Sequence, residues 1–570
     1  MPNRLGVVST ESGSSQAWTW DLGTGERRVA STLGVGAEEV HPLPDGSGVV
    51  WWHDESGDER GKWMITSFEG GEPRPLLPEQ AGGWMAGISF VPGAIAVGLC
   101  LDEDYVITVS HGGEPARELY RSAQPAGVGC EWPQGAGGLS ADGSLLCIWH
   151  AESGDVQHPA LRVLDARTGE TLGDERDEGL LLAPVEWSPV SGDRRLLFLQ
   201  EVEGIERPAI WDLAAGRRDI ALPDLQGPVI PLGWFPDASA LLLRHEAAGV
   251  QRLLRFDLES GEVETVYELT GTISWAAFRP EGDLWVRVES SEEAPSIRNL
   301  DNEPMLRLPS EPPPAGRRAA AISFSNPRGQ TICGFVVTPP GTGPFPTIVS
   351  VHGGPAWHHT DDHDPQTQAY VDHGFAVLLV NYRGSTGYGR AHRDAILGNI
   401  GFPESEDVVA ALDHVIFEGI ADPERVFLEG WSWGGYLAML NAGINAERWR
   451  AVVAGIPTGD YVAAHYECAP PLRAWDLATL GGSPLDLPEL YRERNPMTYV
   501  DRVTAPMLVI AGEHDSRCPL GSVMIYVHAL LVRSKPVEVH LYPGGHHANA
   551  IDEQIRHVEL IVEFLRRHGG

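Results

Sequence analysis

Lysine is almost missing from this sequence: Lys62 and Lys535 are the only two among 42 basic residues. Positive charge as a whole is scarce, since 79 acidic residues leave a formal net charge of −37. A field of that sign repels phosphate backbones and anionic lipid, so neither nucleic acid nor a membrane is an expected partner. Cysteine is sparse too. Cys100, Cys130, Cys147, Cys333, Cys468 and Cys518 are scattered with no C-x-x-C pair, which argues against a zinc ribbon, a thioredoxin-type site and a disulfide-dense secreted scaffold. No apolar run approaches the ~20 residues that span a bilayer; Phe375–Val380 is among the longest. The opening MPNRLGVVSTESGSSQ lacks the apolar core of a signal peptide, so a soluble, cytoplasmic protein is expected. What is present is globular in balance, 42% hydrophobic and 21% charged, and 570 residues exceed one core, so two or more domains are expected.

Residues 1–307 read as short strands separated by turns, with little helical periodicity. One unit recurs: a strand, a polar turn ending in glycine plus a charged residue, then another strand. It appears as WTWDLGTGE (Trp18–Glu26), SFEGGE (Ser67–Glu72), VSHGGE (Val109–Glu114), LDARTGE (Leu164–Glu170), WDLAAGR (Trp211–Arg217) and FDLESGE (Phe256–Glu262), with a worn copy at Ile297–Asn302. The turn glycines recur every 40 to 55 residues or so, the period of a four-stranded propeller blade. Between them lie hairpin signals such as LSADGSLLCIWH (Leu139–His150) and FRPEGDLWVRV (Phe278–Val288). A seven-bladed β-propeller is expected, with Trp18, Trp20, Trp51, Trp52, Trp187, Trp211 and Trp234 as core packing.

The Pro-rich stretch LPSEPPPAG (Leu308–Gly316) marks a linker over 308–317. From 318 to 570 the grammar changes. Short apolar runs (Thr347–Val351, Ala376–Val380, Val426–Leu428, Ala451–Ala454, Met507–Ala511, Val537–Leu541) alternate with longer amphipathic stretches. That alternation predicts an α/β domain with a covered, mostly parallel sheet.

Gly430-Trp431-Ser432-Trp433-Gly434 fits the G-x-S-x-G nucleophile elbow. Among so many glycines the pattern is weak by itself, but here it follows a strand and opens a helix, as an elbow requires. A serine nucleophile needs a base, and the base needs an orienting acid. Asp515 in GEHDSRCP follows one later apolar run, and His546-His547 in YPGGHHAN follows the next. This is the chain order Ser, Asp, His of α/β-hydrolases. His352-Gly353-Gly354-Pro355 is an HGG-type turn, whose Gly354 N–H would join that of Trp433 in an oxyanion hole.

These motifs resemble the prolyl oligopeptidase family of serine peptidases, and within it the acylaminoacyl-peptidase branch. The resemblance rests on VHGGP (Val351–Pro355), NYRGSTGYG (Asn381–Gly389), GWSWGGY (Gly430–Tyr436), DSRCP (Asp515–Pro519) and Tyr542–His547, in order across 310–570. NYRGSTGYG is the most specific of them. The resemblance implies a propeller (1–307) gating a catalytic α/β-hydrolase domain (318–570). It implies Ser432 as nucleophile, Asp515 as acid and a histidine as base, His547 being favoured over His546. It implies that Arg517 holds a substrate carbonyl. Tyr461, Tyr466 and Trp475, in the segment after Ala451–Ala454, are candidate walls for the side chain at the cleaved bond.

The paired glutamates by which dipeptidyl-peptidase relatives hold a free amine are not found with any distinct signal; Glu38-Glu39 and Glu292-Glu293 are candidates by composition only. The cluster Trp357–Asp364 lacks metal-ligand spacing, and no cofactor or metal is expected. The expected activity is that of a serine exopeptidase on short peptides or aminoacyl amides. The alternatives are an amidase acting on free aminoacyl amides, aminonucleoside antibiotics among them, or an esterase. A homo-oligomer is left open.

Overall fold

The computed structural model describes residues 3–129, 137–247, 250–306 and 311–569. Cys130 and the first residues of the 308–317 linker fall outside them. The chain divides into two units. One comprises residues 1–55, 59–288 and 296–307, and the other 56–58, 289–295 and 308–570.

The first unit is a series of antiparallel sheets in chain order. Five are four-stranded, running Val40–Pro75, Gly83–Ser122, Ala126–Glu175, Leu182–Asp219 and Val229–Thr270. The first two of these join through Arg60–Gly61 and Gly83–Trp84. Three-stranded sheets, Arg4–Val29 and Thr272–Arg298, stand at either end. The propeller expectation is therefore corrected in its count: five four-stranded blades are present among the described residues, not seven. The two end repeats have three strands each among the described residues, and the worn Ile297–Asn302 copy is followed there by no fourth strand.

The recurring turn has a physical cause. Asp21, Asp165, Asp212 and Asp257 each end a strand, and each accepts hydrogen bonds through Oδ1 from the backbone N–H groups two and three residues on. The glycine four residues after each Asp has φ between +74° and +87°, a conformation that costs glycine nothing. The buried tryptophans then link successive repeats. Trp187 Nε1–H donates to the carbonyl of Gly138 at 2.8 Å, and Trp234 Nε1–H donates to that of Glu186 at 3.0 Å. Each bond reaches back about one repeat period.

The second unit is an eight-stranded sheet: β1 (Ala320–Ser325), β2 (Thr331–Val337), β3 (Phe345–Val351), β4 (Ala376–Asn381), β5 (Ala421–Trp431), β6 (Ala451–Gly455), β7 (Met507–Gly512) and β8 (Val537–Tyr542). The order is β1-β2-β4-β3-β5-β6-β7-β8, antiparallel through β4 and parallel from there on. The α-helices of seven residues or more are α1 (Pro365–Asp372), α2 (Phe402–Phe417), α3 (Trp433–Ile444), α4 (Tyr461–Glu467), α5 (Pro470–Leu480), α6 (Pro488–Arg494), α7 (Leu520–Val532) and α8 (Ile551–Gly569).

Alternate residues of each strand feed opposite cores. Val349, Leu378, Leu428, Val452 and Val509 pack under α2, α3 and α7. Ile348, Leu379, Phe427, Val453 and Ile510 pack under α1 and α8. Burial on both faces is why these strands read as continuous apolar runs. Among the described residues no helix is long and apolar enough to cross a membrane.

Replacing Trp187 by Phe removes one of the two hydrogen bonds to the Gly138 carbonyl, which still accepts from the Cys147 N–H at 2.8 Å. A loss of about 0.5–1.5 kcal/mol from that bond is expected in denaturant unfolding followed by a first-unit tryptophan signal.

Candidate active site

The parallel strands end on one edge of the sheet, and the chemistry-bearing loops leave from there. β5 turns directly into α3 at Ser432. This residue adopts φ 57° and ψ −117°, an unusual conformation for a side chain that branches from an L-Cα. Such backbone costs about 1–3 kcal/mol and must be held by its surroundings. The holding is steric. A Cβ on Gly434 would lie 2.0 Å from the Val351 carbonyl oxygen, and one on Gly430 would lie 2.3 Å from that of Gly434. The elbow glycines are thus required by contact, since only without side chains can the first turn of α3 press onto the end of β3. Ser432 N–H is fixed by the Gly455 carbonyl at 2.9 Å.

His546 Nε2 lies 3.0 Å from Ser432 Oγ, and His546 Nδ1 lies 2.9 Å from Asp515 Oδ2 and 3.1 Å from Oδ1. Asp515 is itself fixed: its Oδ1 accepts from the backbone N–H groups of Arg517 and Cys518, each at 2.8 Å. Ser432 and Asp515 stand where they were expected to meet. The favoured histidine does not. His547 is exposed, its ring 5.1 Å from that of His546 at 78°, so His546 replaces it beside the serine. The reason is local. Gly544 and Gly545 make the turn after β8, with Tyr542 Oη–H donating to the Gly545 carbonyl at 2.8 Å and His514 N–H to that of Gly544 at 2.9 Å. The turn is complete at Gly545, and the next side chain points into the sheet end.

Gly354 has φ +111° in the loop after β3, and Trp433 is the first residue of α3, where helix N–H groups are unpaired. The preceding Gly353 lies against Ser432; its Cβ would be 3.2 Å from Ser432 Cβ. This loop is braced by the NYRGSTGYG segment. The Tyr382 ring stacks on that of His352 at 4.2 Å, and its hydroxyl donates to the His352 carbonyl at 2.7 Å. Ser385 Oγ lies 2.8 Å from His352 Nε2. Burial pushes the His352 imidazole down to about 3, so it is a neutral strut. Arg383, buried, meets Asp407 of α2 at 2.8 Å and the Pro403 carbonyl at 3.0 Å. Asn381 donates to the His359 carbonyl and accepts from the His359 N–H, clamping the Trp357–Asp364 loop. Asp364 caps α1.

Of the candidate walls, Trp475 and Tyr461 do surround Trp433, with ring centroids 5.3 and 6.5 Å from it. Tyr461 is wholly enclosed and donates to Asp476 Oδ1 at 2.8 Å, so its hydroxyl is committed. Tyr466 is instead half-exposed and touches His465. Arg517 holds Asp515 through its backbone while its side chain is exposed. Glu292 and Glu293 are exposed on a turn, and Glu39 pairs with His41.

Three residues at the site escaped the sequence reading. Glu404 is fully buried beside Trp433, and burial pushes its carboxyl up to about 8. It precedes Val408, Ala411 and Leu412 by four, seven and eight positions, so it lies on the apolar face of α2. That placement was the available signal. Glu429, also buried, accepts from Ser350 and Gln366 at 2.8 Å behind the elbow, and burial pushes it up to about 7. The Cys518 thiol, enclosed next to Ser432 and Thr458, is pushed well up by burial.

Residues 362–570 match the model of the Prolyl oligopeptidase family. The acylamino-acid-releasing enzyme of Homo sapiens is 30% identical over 321 residues, 52% of this chain and 40% of that protein. That of Rattus norvegicus is 27% identical over 374 residues, 56% and 47% respectively. The chain therefore spans about half the length of the curated relatives it matches. A puromycin-hydrolyzing peptidase of Mycobacterium tuberculosis aligns with TM-score 0.81 at 19% identity, over 98% of this chain and 92% of that one. An acylaminoacyl peptidase of Pyrococcus horikoshii aligns with TM-score 0.71 at 16% identity, over 99% and 93%. Both likenesses are of fold.

The raised Glu404 carboxyl keeps its proton in the folded state to about pH 8, whereas the unfolded chain releases it near its ordinary value of 4.5. Its contribution to stability is therefore present at low pH and lost as pH rises from about 4.5 to 8. Glu404→Gln removes this dependence: the difference in Tm between variant and wild type should rise between pH 5 and pH 8, then level off.

Proposed function

We propose, from the match of residues 362–570 to the model of the prolyl oligopeptidase family, that this chain is a serine exopeptidase acting on short blocked peptides or acylaminoacyl amides. The observation that supports the reading is the hydrogen-bonded series Ser432–His546–Asp515.

In this reading Ser432 Oγ attacks the scissile carbonyl while His546 Nε2 takes its proton. The carbonyl π electrons move onto oxygen, where the N–H groups of Gly354 and Trp433 receive the negative charge. Collapse expels the amine, which leaves with the proton from His546, and an acyl-enzyme ester remains on Ser432. Water, deprotonated by His546, repeats the sequence and frees the acid. Asp515 accepts from Nδ1–H throughout, keeping Nε2 available and stabilising the imidazolium. Trp433, Trp475 and Tyr461 form an apolar wall suited to an uncharged side chain at the cleaved bond, and Arg517 is assigned to a substrate carbonyl.

The preference for a blocked N-terminus has a local argument. Of the carboxyls placed at this site, Asp515 is committed to His546, and Glu404 and Glu429 are enclosed, with burial raising both. None of the three is open to a free ammonium. The second reading, cleavage of free aminoacyl amides, draws on the fold shared with the puromycin-hydrolyzing peptidase.

Two measurements decide. Ser432→Ala and His546→Ala should each lower kcat on aryl amides by about 10⁴-fold or more, and His547→Ala by less than about 10-fold. Full turnover by Ser432→Ala would overturn the assignment. Acetyl-alanine p-nitroanilide should exceed alanine p-nitroanilide in kcat/KM; the reverse order selects the free-amine reading, and ester turnover without amide turnover selects an esterase.

A further inference from the structure

Away from the serine, one group of side chains has no part in the chemistry above. His540 lies on β8, and Glu553 and His557 lie four residues apart on one face of α8. Both imidazoles present Nε2 to the same carboxylate oxygen. His540 Nε2 is 2.5 Å from Glu553 Oε1, and His557 Nε2 is 3.1 Å from it. The ligand atoms of all three lie within 4.8 Å of one another.

A hydrogen bond accounts for the His540–Glu553 contact but not for the placement of His557. His557 is only 4% exposed, and its Nε2, although close to Glu553, has no hydrogen-bond partner of sound geometry among the described residues. A buried imidazole nitrogen without a bond is costly unless something else occupies its lone pair. Two imidazoles and one carboxylate are a donor set suited to zinc, whose ligand bonds of about 2.1 Å place neighbouring donors roughly 3.4 Å apart. The observed separations need only small side-chain adjustments to reach that spacing.

We propose that His540, Glu553 and His557 form a binding site for one zinc-class divalent transition-metal ion. The ion would join the strand before the loop of residues 543–550 to the helix after it, and that loop carries His546. The His557 ring also lies 5.6 Å from that of Trp431 in the elbow and 5.0 Å from that of Tyr542. The site is therefore placed to stiffen the base loop against the elbow. Sequence spacing conceals it, because only Glu553 and His557 are close in the chain.

A second triple of donors, Asp515, Cys518 and His546, is the competing destination for zinc. Calorimetric titration of the full chain with zinc sulfate, repeated with cobalt(II) by absorption, separates the two. One equivalent should bind. His540→Ala and Glu553→Gln should each weaken binding by about 10-fold or more, while Cys518→Ser retains it, and the cobalt spectrum should lack a thiolate charge-transfer band. His540 and Glu553 side chains are 24% and 25% exposed, so both variants should keep the metal-free Tm of the wild type. The proposal fails if the wild type binds no zinc, if both variants bind as the wild type does, or if Cys518→Ser abolishes binding. It also fails if the two variants lose their metal-free fold, since the side chains would then be structural.

Discussion

The contact between the first turn of α3 and the end of β3 is the constraint on which this site depends. Ser432 is held in a costly backbone conformation, and nothing in its own chemistry pays for it. What sustains it is close backbone packing: Gly434 against the Val351 carbonyl, Gly430 against Gly434, and the Ser432 N–H on Gly455. Val351, Gly430 and Gly455 belong to the central strands β3, β5 and β6 of the sheet, whose two faces are buried. The energy that fixes the nucleophile is therefore drawn from the apolar cores of the whole second unit. It also places the N–H of Trp433 at a helix start, where it is free to receive charge.

The NYRGSTGYG segment can be understood in the same terms. It contributes no atom to the reaction as proposed. Tyr382 and Ser385 hold His352, Arg383 ties the segment to α2 through Asp407, and Asn381 clamps the backbone of His359. These bonds fix a loop that a two-glycine turn alone would leave loose. A recognisable motif can thus owe its residue types to positioning a neighbouring loop, which explains why its specificity exceeds that of the shorter HGG and G-x-S-x-G patterns.

Much of the architecture was legible because burial on both faces and tight turns leave strong marks. The parallel strands read as apolar runs, and the Asp-to-Gly turns of the first unit read as a repeat. The blade count was less legible, since a turn motif reports a hairpin without reporting how many strands flank it. Ser432 and Asp515 could be placed because each directly follows a strand. His547 was favoured over His546 in error, as the deciding quantity is where the Gly544–Gly545 turn closes. Glu404 escaped notice because charged residues in an acidic chain are read as solvated, although its helical spacing placed it among apolar neighbours.

The buried carboxyls bear on how such an acidic chain would tolerate its own charge near the proposed reaction, which develops negative charge. Glu404 and Glu429 both sit close behind the elbow, and desolvation raises both. Two anions there would oppose an oxyanion on the Trp433 N–H, and in a poorly screened interior the repulsion would be substantial. Held as neutral acids at moderate pH, they supply polar packing without that penalty. Asp515 differs in its partners: two backbone N–H groups donate to it, and His546 Nδ1 lies 2.9 Å away. Within one sheet end the three carboxyls thus differ in surroundings: Asp515 accepts from two backbone N–H groups and faces His546, Glu429 is enclosed among Ser350 and Gln366, and Glu404 is enclosed beside Trp433.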